Sequence, residues 1–408
     1  MSDRPRLDRE VVLVSNGPGE LHAWVRPVLE ALRRLDPELA VRIALIPCQF
    51  ASGREAEIAA TFGADAVTSR ADFLRTVPAG RAPAALGAER GVLLQVGGTP
   101  SYGAALAARL GNPYQRYAYT AGGHRRLDRL YLPDERTARR ARRAGTPAAR
   151  VEVVGNLVAD ALADVAPVPD PGRPHVMVIP GSRDAFARVL VPLMLQIVDE
   201  LARRRPGARF VWPLSRMLSE ATVRDAIAGV EKDVLGGVAG RREGNVVVTP
   251  GGAAIEIVPE EVRYAHMRAA DLAITIPGTN TLELGIAGVP SLVVLPMNAP
   301  ERIPMEGVGH WLGLIPLVGR PLKRWAARLY VEGFDQPVSL PNRITGESLF
   351  VEVAGIVDGD ELAHRADALL ADPDDLARRR ARLAETMPTP GAAERLARRV
   401  LERLEATA

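Results

Sequence analysis

Cysteine and aromatic residues are scarce in this chain of 408 residues, and their scarcity excludes several classes of protein. Cys48 is the only cysteine, so neither a disulfide framework nor a thiolate cluster for a metal is expected. Aromatic residues make up 4% of the chain and the formal net charge is only +3, which argues against a nucleic-acid partner. Lysine is nearly absent too, and the many arginines reflect a compositional bias.

Long apolar runs are missing as well. No run reaches the roughly 18 apolar residues that a membrane-spanning helix needs. The first ten residues, MSDRPRLDRE, lack the apolar core of a signal peptide. We therefore expect a cytoplasmic protein, with contact to the inner face of the cell membrane left open.

Short apolar runs alternate with segments of helical length along most of the chain. Uninterrupted runs of Val, Ile and Leu are typical of strands buried on both faces, and their alternation with helices predicts parallel sheets with right-handed crossovers. The predicted strands are Val11–Asn16, Val41–Cys48, Gly91–Gly97, Tyr114–Tyr119, Asp128–Pro133, Val151–Asn156, His175–Gly181, Arg209–Leu214, Asn245–Pro250, Leu272–Gly278 and Ser291–Pro296.

A proline-rich stretch, ALADVAPVPDPGRP, interrupts this alternation and divides the chain. We predict an α/β protein with two doubly wound, Rossmann-like domains, at residues 1–165 and 175–360. Residues 166–174 form the predicted linker, and residues 361–408 are predicted helices that pack back across the domains. Because ligands of open parallel sheets bind beyond the carboxyl ends of the strands, two facing domains predict a binding cleft between them.

The first predicted strand ends in a glycine-rich turn, SNGPGELHAW. Gly17 and Gly19 allow the backbone to bend tightly and to approach a ligand closely. Glu20 and His22 follow at the start of the next helix. The spacing is neither a dinucleotide fingerprint nor a Walker A loop. An ordinary strand-to-helix turn with a capping Glu is the alternative explanation.

A second turn, VIPGSRDA, opens the C-terminal half of the chain. Here Ser182 is predicted to cap a helix, and Arg183 is predicted to bind a phosphate through its guanidinium. An ordinary capped helix with a surface arginine would have the same pattern.

A third turn, IPGTNTLE, has the composition of a phosphate site at a helix start. Its N–H groups and hydroxyls would bind a diphosphate, with the helix dipole behind it. Glu283 follows one turn later, where it would accept the hydroxyls of a ribose. A plain helix cap is the alternative. The predicted diphosphate-binding residues are Gly278, Thr279, Asn280 and Thr281.

Taken in order, these turns resemble those of lipid-A-disaccharide synthase, a glycosyltransferase family with the GT-B fold of two facing Rossmann-like domains. GPGELHA is similar to the first loop of the family, VVGNLVAD (Val153–Asp160) to its FVGHPL-D motif, and PGSR is present unchanged. PGTNTLE is similar to SGTATLE, and PVSLPNRITGESLFVEVAG (Pro337–Gly355) to the YVSLPN segment and the PE segment after it. RPLKRWAARLYVEG (Arg320–Gly333) is similar to the region just before that segment.

The resemblance implies a metal-independent, inverting transfer of a sugar from a nucleotide-sugar donor, most simply a UDP-sugar, without a cofactor. It implies that Glu283 binds the ribose of the donor. It also implies that the base of the nucleotide lies near Ser339–Ile344, with Asn342 as a contact, and that Glu352 belongs to the same site.

The departures from the family lie on the acceptor side. LLQVGGTPSYG (Leu93–Gly103) lacks the Asp that the family carries in its IDAPDFN motif, and YTAGGHRR (Tyr119–Arg126) replaces an aromatic stretch. The sequence therefore predicts the same donor chemistry on a different acceptor. A base must still deprotonate the acceptor hydroxyl, and Glu20 or His22 is the candidate. For His22, a packed histidine is an equally good explanation.

Two segments bear on the acceptor. Asp134–Gly145 reads as a helix with an arginine face, which suits anionic lipid headgroups or is simply a solvated face. Asn298–Arg320 looks inserted relative to the family, and its amphipathic pattern suits a membrane wedge or a lid over the cleft. The arginines are Arg136, Arg139, Arg140 and Arg143, and the apolar residues of the insert are Trp311, Leu312, Leu314, Ile315 and Leu317.

Two other functions remain open at this point. A UDP-sugar 2-epimerase has the same fold and nucleotide site, but it would need paired acid and base groups in the cleft. A catalytically degenerate homologue that binds a nucleotide sugar would explain the missing Asp.

Overall fold

The computed structural model describes residues 8–48, 53–122, 124–170, 172–299 and 337–407. The chain divides into two compact units. Unit 1 consists of Met1–Asp164 and Pro388–Ala408, and unit 2 consists of Val165–Met387. This division differs from the predicted boundaries at the C-terminal end, because the helices predicted over residues 361–408 are shared between the units.

Unit 1 contains a seven-stranded sheet in which all neighbouring strands are parallel. The strand order is β3-β2-β1-β4-β5-β6-β7, which is the order of a Rossmann sheet. The strands are β1 (Arg9–Ser15), β2 (Ala40–Leu45), β3 (Ala66–Thr68), β4 (Arg90–Val96), β5 (Tyr114–Tyr117), β6 (Leu127–Leu132) and β7 (Val151–Val153).

The helices of unit 1 cover the sheet. A π-helical turn, Leu21–Val25, lies between the first two of them. Helix α2 presents Val28, Leu29 and Leu32 to the core, each at most 2% exposed, at the spacing that an amphipathic helix requires. The helices are α1 (Pro18–Glu20), α2 (Arg26–Leu35), α3 (Glu55–Ala60), α4 (Arg70–Thr76), α5 (Pro100–Leu110), α6 (Glu135–Arg143) and α7 (Leu157–Leu162).

A last helix, α15 (Ala392–Glu405), belongs to unit 1 although it follows all of unit 2 in the sequence. It packs against α2, β4 and α7. The carboxylate of Asp160 accepts hydrogen bonds from the N–H groups of Gly391, Ala392 and Ala393, at 2.7, 3.1 and 3.2 Å. Asp160, from the VVGNLVAD motif, therefore caps a helix that is distant in sequence.

Unit 2 contains an eight-stranded sheet in the order β10-β11-β12-β9-β8-β13-β14-β15. From β12 to β15 the neighbours are parallel, again in Rossmann order. The strands are β8 (His175–Ile179), β9 (Arg209–Leu214), β10 (Arg241–Glu243), β11 (Val246–Val248), β12 (Ala254–Pro259), β13 (Leu272–Thr275), β14 (Ser291–Pro296) and β15 (Val351–Gly355).

The long helix α8 (Asp184–Arg204) packs against α13 (Gly359–Ala371) and α9 (Glu220–Ile227), and its apolar residues form much of the core of unit 2. No helix within the described ranges is long and apolar enough to cross a membrane. The helices of unit 2 are α8 (Asp184–Arg204), α9 (Glu220–Ile227), α10 (Arg263–Ala269), α11 (Thr279–Ile286), α12 (Leu340–Thr345), α13 (Gly359–Ala371) and α14 (Pro373–Thr386).

One edge of the sheet in unit 2 adds antiparallel strands to the predicted parallel arrangement: β10, β11 and β12 pair antiparallel. Strand β10 is the fully exposed sequence Arg-Arg-Glu, and it pairs with β11 across the tight turn at Gly244. A short, charged edge strand of this kind has no apolar run by which a sequence pattern detects it.

Candidate functional site

Each sheet has a topological switch point, where two neighbouring strands lead into helices on opposite faces. In unit 1 the switch point lies between β1 and β4, and in unit 2 between β8 and β13. Three of the turns singled out in the sequence follow β1, β8 and β13. The sequence candidates therefore lie where Rossmann-like sheets bind their ligands.

At the switch point of unit 1 lies the carboxylate of Glu20. Its Oε2 accepts hydrogen bonds from the hydroxyl of Ser15 and the N–H of Gly17, both at 3.3 Å. Burial raises the pKa of the Glu20 carboxyl, while these hydrogen bonds and the positive charge of Arg116 oppose the shift. A carboxylate with a raised pKa is a better proton acceptor, so the environment of Glu20 suits a general base.

The end of β4 makes room for this carboxylate. A Cβ atom at Gly97 would lie 2.5 Å from Oε1 of Glu20, so a side chain here would displace the Glu20 carboxylate, and Gly97 also has a positive φ of 85°. Gly97 belongs to the LLQVGGTPSYG segment, where the family motif has its Asp. The carboxylate of Glu20 thus fills the space that a side chain at the end of β4 would need.

The glycines of the first turn differ in their surroundings. A Cβ on Gly17 would lie 3.1 Å from the Glu20 carboxylate, so Gly17 is in close contact with that group. Gly19 lies inside helix α1, and a Cβ there would meet nothing within 4 Å. Close approach of either glycine to a ligand stays a prediction.

Arg116 is a residue of this region that the sequence did not single out. It lies on β5, and its side chain is 4% exposed. Its two terminal nitrogens donate to the carbonyl oxygens of Gly98, at 3.0 Å, and Gly122, at 2.6 Å. The short segment YQRYAY reads only as a strand, and no motif marks its arginine, so structure was needed to find it.

His22 lies in the π-helical turn, and its ring packs edge-on against Phe62 with the ring centroids 5.2 Å apart. Nearby, Trp24 stacks on Tyr119, which donates a hydrogen bond to Asn156. The catalytic role of His22 stays a prediction, and its packing on Phe62 favours Glu20 as the base.

The structure brings the PGSR turn next to the start of α11 in unit 2. A Cβ on Gly181, whose φ is 101°, would lie 2.9 Å from the Cδ1 atom of Ile276. Ser182 and Arg183 are exposed in this turn. The prediction that Ser182 caps the helix is wrong, because α8 begins at Asp184 and Arg183 occupies the cap position. The guanidinium of Arg183 lies 5.9 Å from the ring centroid of Phe186.

Helix α11 begins with an exposed backbone. Gly278 is its N-cap, and both Gly278 and Thr279 are exposed. Asn280 donates hydrogen bonds back to the hydroxyl of Thr275 and the carbonyl of Ile276. The arrangement leaves a helix start open to solvent, with its positive dipole end at the switch point.

Thr281 and Glu283 are turned toward the protein. The Thr281 hydroxyl donates to the carbonyl of Gly278 at 2.8 Å and accepts from the N–H of Leu340 at 3.1 Å. Oε1 of Glu283 accepts from a guanidinium nitrogen of Arg263 at 2.7 Å and from the hydroxyl of Tyr264 at 3.0 Å. Glu283 is 5% exposed, so Arg263 and Tyr264 fix the position of its carboxylate.

Asn342 and Glu352 are engaged with each other. Oε1 of Glu352 accepts from Asn342 at 2.8 Å and from the N–H and hydroxyl of Ser339 at 2.9 and 2.6 Å, and Oε2 accepts from the N–H of Val338 at 2.7 Å. Asn342 also exchanges hydrogen bonds with the backbone of Phe350. Both residues therefore shape the loop at the start of α12, and direct contact with a nucleotide stays a prediction.

The remaining predictions fall partly outside the described residues. Residues 300–336 are not described, so the lid or wedge expected in Asn298–Arg320 and the similarity in Arg320–Gly333 stay predictions. Helix α6 carries the arginine face, and Arg139, Arg140 and Arg143 are exposed. Within the described ranges, no three His, Cys, Asp or Glu residues form a metal-type cluster.

The fold has clear counterparts among solved structures. A putative UDP-N-acetylglucosamine 2-epimerase from Listeria monocytogenes superposes with a TM-score of 0.56 at 15% identity, covering 98% of this chain and 96% of that one. MurG from Acinetobacter baumannii gives 0.50 at 12% identity, covering 97% and 99%. The glycotransferase of kitacinnamycin gives 0.53 at 14%, covering 98% and 100%. The chain therefore has two Rossmann-like domains of the GT-B class, as predicted.

Within this class, the chain is similar in sequence to lipid-A-disaccharide synthases, which confirms the predicted resemblance. The enzyme of Geobacter sulfurreducens is 28% identical over 239 residues, or 58% of this chain and 50% of that protein. The enzyme of Alkalilimnicola ehrlichii is 29% identical over 272 residues, or 64% and 59%. The chain thus spans about half the length of the first of these relatives. No family model matches the chain.

Proposed function

We propose that the protein is a glycosyltransferase that moves a sugar from a nucleotide-sugar donor, most simply a UDP-sugar, to an acceptor hydroxyl. The observation that carries the proposal is the switch point of unit 2. There an exposed helix start at Gly278 and Thr279 is followed, one turn later, by a carboxylate that Arg263 and Tyr264 hold in place. The similarity to lipid-A-disaccharide synthases supports the same assignment.

The donor would bind to unit 2 by its nucleotide part. The diphosphate would accept hydrogen bonds from the N–H groups at the start of α11, with Arg183 adding positive charge. Glu283 would accept the ribose hydroxyls. As the sugar leaves, negative charge grows on the diphosphate, and donors already in position stabilise it by roughly 3 kcal/mol each. The proposed binding of the donor and departure of its diphosphate need no metal ion.

The base would come from unit 1. Glu20 would accept the proton of the acceptor hydroxyl as that oxygen attacks the anomeric carbon, and inversion at that carbon follows from a single displacement. The close packing of the Glu20 carboxylate against Gly97 supports this role, because it supplies an acid where the family motif has one.

The test is binding followed by turnover. In a thermal-shift screen against nucleotides and nucleotide sugars, UDP at 100 times its dissociation constant should stabilise the protein by about 2.7 kcal/mol. Glu283→Gln should weaken this shift, whereas Glu361→Gln, on an exposed residue of α13 in the same unit, should not. A protein that no nucleotide stabilises would contradict the proposal.

Turnover with a bound UDP-sugar separates the alternatives. Release of UDP that depends on an added acceptor supports transfer. Change of the sugar at C2 without an acceptor, followed by NMR, would identify an epimerase. Binding without either reaction would identify a degenerate homologue.

The acceptor is proposed to be lipid-linked, by the resemblance, and the exposed face of α6 is proposed to approach anionic headgroups. Each exposed arginine would add about 1 kcal/mol near such a surface. The triple variant Arg139→Gln, Arg140→Gln, Arg143→Gln should then lose co-sedimentation with phosphatidylglycerol vesicles. If the native protein does not sediment with them more than with phosphatidylcholine vesicles, α6 is only a solvated face.

A further inference from the structure

Arg116 has no assigned role, and its side chain is unusual for an arginine. It is almost fully buried on β5, and within the described residues its Nε–H has no hydrogen-bond partner. Arginine is rarely buried without a carboxylate in direct contact, and each unexplained buried polar group calls for a reason. No carboxylate lies within ion-pair distance of Arg116 among the salt bridges of the described residues, yet the charge of Glu20 acts on it.

The geometry connects the two side chains through one turn. Arg116 donates to the carbonyl of Gly98, and the residue before it, Gly97, lies against the Glu20 carboxylate. The same turn is also held by Gln95, whose amide donates to the carbonyls of Gly97 and Thr99, at 2.8 and 3.0 Å. The buried side chains of Arg116 and Gln95 therefore hold the turn at the end of β4 in place.

We propose that Arg116 is a positioning residue for Glu20. It holds the Gly97–Gly98 turn against the Glu20 side chain and supplies the positive charge that keeps this carboxylate ionised and able to accept a proton. The inference deepens the proposed function, on which it rests for the role of Glu20 as a base.

The charged groups around Glu20 and Arg116 determine how the loss of the Arg116 guanidinium would change the pKa of Glu20. The groups that act on Glu20 are the Ser15 hydroxyl, the backbone N–H groups of Gly17 and Asn16, and the guanidinium of Arg116, and only the last is charged. Arg116 in turn is influenced by Glu20 and by the hydroxyl of Tyr114, which is neutral at physiological pH and whose pKa burial raises further above its ordinary value. Removing the guanidinium therefore removes the positive charge that faces Glu20 in this part of the structure.

The experiment measures the ionisation of Glu20 directly. The protein is labelled with glutamate carrying 13C in the side-chain carboxyl, the Glu20 signal is assigned from its loss in Glu20→Gln, and the pKa is read from a pH titration. In Arg116→Gln and Arg116→Met the pKa of Glu20 should rise above that of the native protein, since an opposite charge nearby stabilises the ionised carboxylate. Arg116→Lys keeps the charge and should hold the pKa closer to that of the native protein.

A matched control lies in the same sheet. Arg42 is paired with the buried Glu10 at 3.0 Å, near the amino ends of β1 and β2, away from the switch point. Arg42→Gln should lower stability and leave the Glu20 titration unchanged. An unchanged Glu20 pKa in both neutral Arg116 variants, or an equal shift in Arg42→Gln, would overturn the proposal.

Activity gives a second readout that keeps the two proposals apart. If the protein is an active enzyme, the acid limb of the pH profile of kcat/KM should move to higher pH in Arg116→Gln, because the Glu20 pKa rises. In Arg116→Lys the acid limb should return toward its native position. If the NMR pKa shifts but the kinetic profile does not, Arg116 acts on Glu20 and Glu20 is not the base. If the NMR pKa does not shift, the role of Arg116 fails, whatever the kinetics show.

Discussion

The side chains near the switch points of the two units are held in place in different ways. In unit 2, Thr281 at the start of α11 accepts a hydrogen bond from Leu340 of the SLPN segment, so two recognisable motifs bond to each other. In unit 1, the carboxylate of Glu20 lies against a glycine and is influenced by an arginine, neither of which a motif marks. A matching motif thus reports how a loop is built, whereas the surroundings of the Glu20 carboxylate depend on residues from other strands.

The largest expected effect tests whether chemistry belongs to unit 1 and donor binding to unit 2. Glu20→Gln should lower kcat by about 100-fold or more, the usual contribution of a general base, with little change in donor affinity. Glu283→Gln should do the reverse and weaken donor binding. Steady-state kinetics and nucleotide titrations of both variants measure the contrast.

His22→Ala is the matched control for Glu20→Gln, because His22 is two residues away and packs on Phe62. It should change kcat by no more than about threefold, as expected for a residue that forms no transition-state contact. A large loss in His22→Ala together with normal activity in Glu20→Gln would make His22 the base.

The next effect concerns the stability of unit 2 in acid. His175 is fully buried on β8, its ring is 5.4 Å from that of His266, and burial, with the charges of His266 and Arg209, lowers its pKa to about 4. The native state therefore binds fewer protons than the unfolded state between pH 6.5 and 4, so stability falls as the pH falls through that range. The loss should reach about 3 kcal/mol at pH 4.

Urea denaturation at pH 7 and pH 4.5 measures this loss. His175→Leu should retain more of its stability in acid, because both ring nitrogens lack a partner among the described residues and the apolar side chain needs none. His364→Leu, on an exposed position of α13 in the same unit, should keep the native acid sensitivity. Equal acid sensitivity in the native protein and His175→Leu would contradict the assignment.

A smaller effect sharpens the description of unit 1. Gly97→Ala should lower activity by about tenfold, because the added methyl group would displace the Glu20 carboxylate. Gly111→Ala is its control, since Gly111 has a similar positive φ of 75° but open space around it. Both variants carry a backbone cost of about 1 kcal/mol, so a difference in activity between them reports on the carboxylate alone.

The smallest effect concerns the loop of unit 2. In the native protein both carboxylate oxygens of Glu352 accept hydrogen bonds from the loop at Val338 and Ser339. Glu352→Gln leaves only one oxygen acceptor, so this loop should become less ordered. Donor affinity should fall about fivefold, the equivalent of one ordinary hydrogen bond, while kcat changes little. Titration with UDP measures it, and unchanged affinity would separate this loop from the nucleotide site.

The sequence predicted the strands that form the middle of each sheet, because they are buried on both faces and read as continuous apolar runs. It missed four strands: β3, which has only three residues, the exposed β10, β12 and the edge strand β15. Strand β12, the sequence AIEIVP, carries a half-buried Glu that interrupts its apolar run.

The candidate site was predictable only where a single turn contains it. Glu20 follows its strand directly, and the start of α11 lies within one motif. Arg116, Gly97 and Arg263 come close to their partners only through the strand order, which brings together residues 20 to 96 positions apart. The capping role of Asp160 has the same origin, since its partners lie more than 230 residues away.

The position of α15 at the end of the sequence sets the order in which the two units can finish folding during translation. Unit 2 is one continuous stretch and can fold once Met387 has emerged, whereas unit 1 must wait for a helix that is translated after it. Until then the surfaces of α2, β4 and α7 that α15 covers remain open to water or to a chaperone. The half of the protein that is made first is therefore the half that finishes last.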